Sequence, residues 1–491
     1  MACGGPVGGS HMNQGNRDRR NRPHGGGSGR FGRSPGTVRK RHFEPPAPAP
    51  GQAVRMAAAS AISGILASGR TLDDYFAADL SSQMLAGLEP RDIALVRSIV
   101  VAAMRRLGTI RLALDRFVER RPPARAQALE GILIAGVAQI LFLDVPDHSA
   151  VDLAVRSAKH EAVTVPFAAM TNAVLRNVIR HREELLTVEP IADTPGWMAA
   201  RWSANWGRET AEQIALAHRR EPALDLTLAG DPQEWAEKLN GMVLPNGSVR
   251  LRDRTPVQQL EGYDAGQWWV QDCAASLPAQ ILAPQAGENI ADLCAAPGGK
   301  TAQLASAGAQ VIAIDRSAER LKRLHENMQR LRLNVEVRAS DALTYSGGPF
   351  DAILLDAPCT ATGTIRRHPE VAWIKRQSDL EALVVLQTKL LDHAASLLKP
   401  GGRLIYCTCS LEPEEGENQI ASLLRRNPDV ERIPVTAPEL DIFGRHENTG
   451  TLAEAISESG DVRTFPHFLP RDEARMGGID GFFVARLKRL R

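Results

Sequence analysis

Apolar residues recur at helical spacing from Ala53 to about residue 182, as in Ile93, Val96, Val100, Met104 and Leu107, with helix-compatible polar residues between them. The pattern predicts helices over 91–107, 124–143, 150–160 and 168–180, separated by Pro or turn-forming residues as in a compact bundle. The stretch 131–143, between Glu130 and Asp144, is too short to cross a bilayer and reads as a buried helix. From about residue 194 two helical stretches lead to a strand over 224–228, a helix near 232–239 and a strand over 248–251, a mixture that suggests a small α+β module. Beyond Gln280 short β-rich runs alternate with helices, at 289–293, 311–315, 335–339, 350–356, 403–406 and 482–487. That alternation predicts a doubly wound, mostly parallel α/β sheet, whose ligands sit beyond the carboxyl ends of its strands.

A chain of 491 residues exceeds what one core organises. We expect a leader over 1–52, an all-helical domain over 53–185, the α+β module over 193–265 and the parallel-sheet domain over 266–491. Composition is that of a globular protein, 43% hydrophobic and 24% charged, and the formal net charge of +2 says little about partners. Local charge says more. In the leader, Arg17, Arg19, Arg20, Arg22, Arg30, Arg33, Arg39, Lys40 and Arg41 face only Asp18 and Glu44, and large apolar residues are scarce. Disorder is expected there, in a tail that either holds phosphate backbones or keeps the chain dissolved. Gly9 to Met12 spell a cloning remnant. The leader lacks an apolar signal core, so a cytoplasmic chain without membrane contact is expected.

The six cysteines are Cys3, Cys273, Cys294, Cys359, Cys407 and Cys409. They form neither a disulfide framework nor a zinc spacing, so individual thiol chemistry and no metal are expected. Four of them fall at predicted strand ends. The first strand runs into Asp292-Leu-Cys-Ala-Ala-Pro-Gly-Gly-Lys-Thr301, small residues and glycines that let a ligand approach the backbone and a helix N-terminus. A phosphate-binding P-loop would need Gly where this chain has Cys294, which sets that reading aside. Asp315 closes the second strand, where a carboxylate can accept from ribose hydroxyls, and Asp341 follows the third, placed for a ligand amino group. The fourth strand ends in Asp356-Ala-Pro-Cys359 and the fifth in Cys407-Thr-Cys409-Ser410. Adjacent strand ends would bring Cys359 and Cys409 to one cleft; a lone cysteine would more often be a buried small hydrophobe.

These segments, with Asp356-Ala-Pro-Cys-Thr-Ala-Thr-Gly363, Thr408-Cys-Ser410 and Asp480-Gly-Phe-Phe483 in that order, resemble the motifs of the RNA cytosine-C5 methyltransferases. The extension Ile365-Arg-Arg-His-Pro-Glu370 and the helical domain, with Asn172-Ala-Val-Leu-Arg-Asn177, are similar to the bacterial RsmB (Sun) branch, whose leading domain is NusB-like. The resemblance covers roughly residue 53 onward. It implies a Rossmann-like class I methyltransferase fold behind a NusB-like, RNA-binding helical bundle, and S-adenosylmethionine as cofactor. The substrate it implies is an unpaired or extruded cytosine of 16S ribosomal RNA, and a monomer is expected.

Carbon 5 of cytosine is a poor nucleophile until a thiolate adds at carbon 6, and the adduct must afterwards lose its carbon 5 proton and eject the thiolate. The resemblance makes Cys409 the nucleophile and Cys359 the group that helps product leave. Asp356 would hold the cytosine edge and Lys300 would reach the target pocket. Cys294, Ala295, Ala296, Pro297, Gly298, Gly299 and Lys300, with Asp315, Asp341 and Asp356, would bind the cofactor, bordered by Gln271 and Asp272. Cys407 and Cys273 are expected to be structural, and Trp268 and Trp269 to pack rather than stack on a base. Arg366, Arg367 and His368 are expected to contact RNA phosphates. Three alternatives compete: action on another RNA such as tRNA, an antiterminator-like RNA-binding factor with a vestigial fold, and a DNA cytosine methyltransferase. The full set Lys300, Asp356, Cys359 and Cys409 speaks against a vestigial fold, and a DNA enzyme would not need the Thr-Cys-Ser thiol.

Overall fold

The computed structural model describes residues 47, 49–79, 85–120, 122–443 and 450–491; the arginines of the leader and Gly9 to Met12 lie outside them. Seven helices open the described chain: Gln52–Ser68, Leu72–Asp79, Pro90–Arg105, Leu107–Phe117, Ala128–Phe142, Asp147–Ala158 and Ala168–Arg180. Ala128–Phe142 is buried on every face from Gly131 to Leu141, as its apolar run, broken only by Gln139, requires, and its neighbours wrap it with one apolar stripe each. The helix expected over 91–107 ends at Arg105 because Arg106 leaves the helical region, with φ −121°. Asp193 holds that break: its carboxylate pairs with Arg106 at 2.9 Å and accepts from the Thr109 amide at 2.6 Å, where the next helix begins.

The small module is an antiparallel sheet of β1 (Asp225–Leu228), β2 (Gly241–Val243), β3 (Val249–Leu251) and β4 (Trp268–Val270), in the order β2-β3-β1-β4. Two features depart from the expected 193–265. β4 pairs with β1 through Thr227 and Trp269, so the sheet runs past residue 265 to Val270. The helices Gly196–Trp206 and Arg208–His218 pack elsewhere: Met198, Trp202 and Ile214 share a core with Ile365, Val371 and Leu411, on the loops that carry the thiols.

The larger sheet contains β5 (Asn289–Leu293), β6 (Gln310–Asp315), β7 (Glu336–Ala339), β8 (Phe350–Asp356), β9 (Leu398–Thr408), β10 (Val430–Arg432), β11 (Val462–Thr464) and β12 (Phe482–Arg489). Its order is β7-β6-β5-β8-β9-β12-β10, with β11 also on β12. β5 to β9 run parallel, while β12 is antiparallel to its three partners. Helices cover both faces, among them Cys273–Leu282, Gly299–Ser306, Ala318–Leu331, Gln377–Ser396 and Glu417–Arg426. This is the doubly wound, Rossmann-like arrangement. The chain leaves β5 in one direction for β6 and β7 and in the other for β8 and β9, so the crevice lies above β5 and β8. No helix of the described residues is long and apolar enough to cross a membrane.

Candidate active site

The loop leaving β5 turns sharply. Cys294 adopts a positive φ of 62°, and Gly298 has φ 104°. A Cβ at Gly298 would lie 2.8 Å from Leu324 Cγ, so only glycine lets this turn seat against the helix Ala318–Leu331. Asp315, at the end of β6, accepts from the Ala296 amide at 3.2 Å and the Ser317 amide at 2.9 Å and so braces the loop. Beneath the loop, Asp292 is fully buried. Thr301 donates to its Oδ2 at 2.6 Å, while Oδ1 has no partner; burial pushes the carboxyl up to about 7.

Three motif loops converge over this turn. The Gly363 amide donates to Cys409 O at 3.0 Å and the Gly481 amide to Gly363 O at 2.8 Å; a Cβ at Gly363 would collide with the Gly481 carbonyl. The Sγ atoms of Cys359 and Cys409 consequently lie 3.5 Å apart. The contact with Cys409, reinforced by burial, pushes the Cys359 thiol well above its ordinary value. Lys300 Nζ donates to Asp356 Oδ2 at 2.8 Å and the Cys407 thiol reaches Asp356 Oδ1 at 3.5 Å. Burial opposes the charge on Lys300, but the neighbouring Asp356 outweighs it and the ammonium is held charged. Cys407 is buried in the sheet, and burial with Asp356 pushes its thiol well up; Cys273 is buried too.

A cavity of about 480 Å³ opens here, lined among others by Asp292, Gly298, Lys300, Asp356, Cys409 and Phe482. Gln271 and Asp272 also line it, as do Ala295, Pro297 and Gly299. Cys294, Ala296, Asp315, Asp341 and Cys359 do not; Asp341 is exposed and caps its own turn through the Leu343 amide. Trp268 is enclosed by the small module, while Trp269 packs with its Nε1 donating to Gln271 Oε1 at 2.7 Å.

The arginines after the thiol loop need correction. Arg366 is 3% exposed and Arg367 is half-enclosed, and neither guanidinium is free for a phosphate. Arg366 pairs with Asp480 at 2.9 Å and Asp272 at 3.4 Å; Arg367 pairs with Asp480 at 3.2 Å and with Asp272. Asp225 and Arg250, joined at 2.7 Å, complete the cluster. Three carboxylates thus meet three guanidiniums out of water, where each charge requires its partner. Burial works against the charge of Asp272, but Arg367 and Arg366 hold its carboxyl well below the usual range, whereas burial pushes Asp480 up to about 6. His368 alone of the three keeps substantial exposure, 43% of its side chain, at the cavity rim. Sequence reasoning also passed over Glu415, buried behind both thiols; its setting in Glu412-Pro-Glu414-Glu415 looks like a solvated acidic turn, and nothing in the chain signals otherwise.

The family model of the 16S rRNA methyltransferases RsmB/F matches residues 279–488, and the NusB family matches 52–180. The chain is 34% identical to Ribosomal RNA small subunit methyltransferase B of Cronobacter sakazakii, over 77% of this chain and 91% of that protein. It is 37% identical to the protein of the same name from Xanthomonas campestris pv. campestris, over 79% and 91%. The chain belongs to the RsmB/F family. It is an RNA methyltransferase, and its NusB match falls on the seven-helix bundle. The crystal structure of PH0851 has the RsmB/F chain's fold, with a TM-score of 0.66 and 23% identity over 90% of this chain and 99% of that one.

Proposed function

We propose that this chain methylates carbon 5 of a cytosine in 16S ribosomal RNA, with S-adenosylmethionine as donor and Cys409 as covalent nucleophile. The observation that carries the reading is the pair of sulfurs 3.5 Å apart at the end of β8 and β9, one of them on the wall of the cavity that holds Lys300 and Asp356. The RsmB/F membership and the names of the relatives support the substrate. Asp292 lines the cavity with its buried Oδ1 unpartnered, which fits a cofactor bearing an ammonium and hydroxyls. When bound, the donor supplies an electrophilic methyl on a sulfonium. The loop from Cys294 to Lys300 would hold it, with Asp315, Asp341 and Asp356 as further contacts.

The residues then divide the work. Asp356, braced by Lys300, holds the cytosine edge and supports charge at the ring nitrogen. Cys409 Sγ, as thiolate, bonds to carbon 6, and the π pair of the 5,6 bond moves to carbon 5, which takes the methyl group. With Cys409 bonded to carbon 6 and no longer opposing it, Cys359, as thiolate, takes the carbon 5 proton; that electron pair reforms the double bond as the carbon 6 to sulfur bond breaks and Cys409 leaves as thiolate. Carbons 5 and 6 must both be reached, so the base enters unpaired or extruded. On this reading 53–185 binds RNA, 193–265 links, and 266–491 performs the transfer in the cytoplasm.

The test uses the full chain, labelled methyl donor and 16S rRNA. Cys409→Ala is expected to abolish transfer and leave no denaturant-resistant complex, whereas Cys359→Ala accumulates that complex. A trapped complex from Cys409→Ala would mean the two roles are reversed, and transfer surviving in Cys409→Ala would end the covalent reading.

A further inference from the structure

Behind the two thiols lies a carboxylate that the chemistry above does not use. Glu415 is fully buried and forms no ion pair among the described residues. Neutral donors saturate it instead. Its Oε1 accepts from the Thr360 amide at 2.9 Å and from Gln387 Nε2 at 2.9 Å, and its Oε2 accepts from the Thr360 hydroxyl. Gln387 Nε2 also donates to Pro358 O at 2.9 Å. Both chain neighbours of Cys359 are therefore fixed from one point. The same point reaches Cys409, because Thr360 Oγ1 lies 3.2 Å from Ser410 Oγ, which in turn accepts from the Glu412 amide at 3.0 Å. The Glu415 carbonyl accepts from Tyr406 Oη at 2.8 Å and from Thr408 Oγ1 at 3.2 Å, anchoring the assembly to the end of β9.

We propose that Glu415 is the positioning residue that sets the separation of Cys359 and Cys409, joining the two thiol loops through Thr360 and Ser410. The inference rests on the two-thiol reading of the reaction. A buried acid surrounded by neutral donors is costly unless every acceptor site is filled, and here the filling groups are the residues next to the two sulfurs. Its isostere, a carboxamide, would turn an NH2 group toward the Thr360 donors and drive the loops apart.

Two measurements on the full chain test this. The first is independent of catalysis: the rate at which diamide, taking one hydrogen from each thiol, joins Cys359 to Cys409, with the bridge assigned by tandem mass spectrometry. The second is turnover on 16S rRNA with the methyl donor. Glu415→Gln is expected to slow the cross-link about tenfold and to lower kcat about 10- to 100-fold, with both KM values held and the covalent RNA complex accumulating. Thr360→Val, which keeps the amide and removes the hydroxyl bridge, is expected to do the same more weakly, and serves if Glu415→Gln does not fold. Slower cross-linking with unchanged kcat would uphold the placement and overturn the two-thiol reading. Unchanged cross-linking and kcat, with only a lower melting temperature, would overturn the inference.

Discussion

The two walls of the cavity are built from opposite electrostatics. On one side Asp225, Arg250, Asp272, Arg366, Arg367 and Asp480 form a buried cluster of full charges. On the other, behind the thiols, Glu415 is held by the amide and hydroxyl of Thr360 and the carboxamide of Gln387, with Ser410 joined through Thr360. Charged pairs hold distant segments together strongly but tolerate small shifts, since Coulomb energy falls slowly with distance. Hydrogen bonds decay steeply with distance and angle. The charged wall therefore fastens the β1 module, the segment before Cys273 and the β12 loop to one another, while the neutral wall fixes atoms that must meet at a few ångströms.

Removing one partner of the charged wall is expected to have the largest effect. Arg367→Met leaves Asp272 and Asp480 undercompensated in a buried site and should cost about 3–5 kcal/mol, read from the urea midpoint; a loss below about 1 kcal/mol would show the cluster to be solvated. Asp292, between the walls, comes next. Its carboxyl is raised from 3.8 to about 7 in the fold, so across that window the native state holds a proton that the unfolded chain has released. Stability without ligand therefore falls as pH rises through the window, by on the order of 4 kcal/mol, and Asp292→Asn should flatten that slope in thermal melts. Ser410→Ala removes a hydroxyl shared by Thr360, Thr362 and the Glu412 amide and should cost about 1–2 kcal/mol in denaturant titration, with the cross-linking rate of the thiols falling as well. As the smallest effect, Arg208→Ala breaks an exposed pair with Glu212 one helical turn away and should leave the urea midpoint almost unmoved, with any difference gone in high salt.

What was readable along the chain followed from local rules. Period and punctuation located four of the seven bundle helices and six of the eight strands of the larger sheet, and the parallel alternation placed Asp292, Asp356 and Cys409 at strand ends. Of the three-residue strands β3 was legible, while β2, β10 and β11 carry too little pattern to be seen. The edge strand β4 escaped the small module because only pairing with β1 assigns it there. Arg366 and Arg367 look solvated in one dimension; their carboxylate partners stand about a hundred residues away on either side, and the fold alone brings Asp272 and Asp480 to them. Glu415 was invisible for the same reason, since a carboxylate that accepts from neutral groups leaves no complementary charge to search for.

The bundle's grip on the segment after the thiol loop has a consequence for dissecting the enzyme. Arg105 donates to the carbonyl of Arg366 at 3.0 Å, Trp373 Nε1 donates to the carbonyl of Met104 at 2.7 Å, and the Leu72 amide donates to Glu370 Oε1 at 3.0 Å. Trp373 and Ile374 also pack against the bundle core. Cutting the chain after the bundle would strip an indole of its acceptor and leave a buried acid facing solvent within about fifteen residues of Cys359. The front third is thus part of the scaffold of the methyl-transfer half, and a truncated enzyme would report on a damaged site rather than on one merely deprived of an RNA-binding appendage.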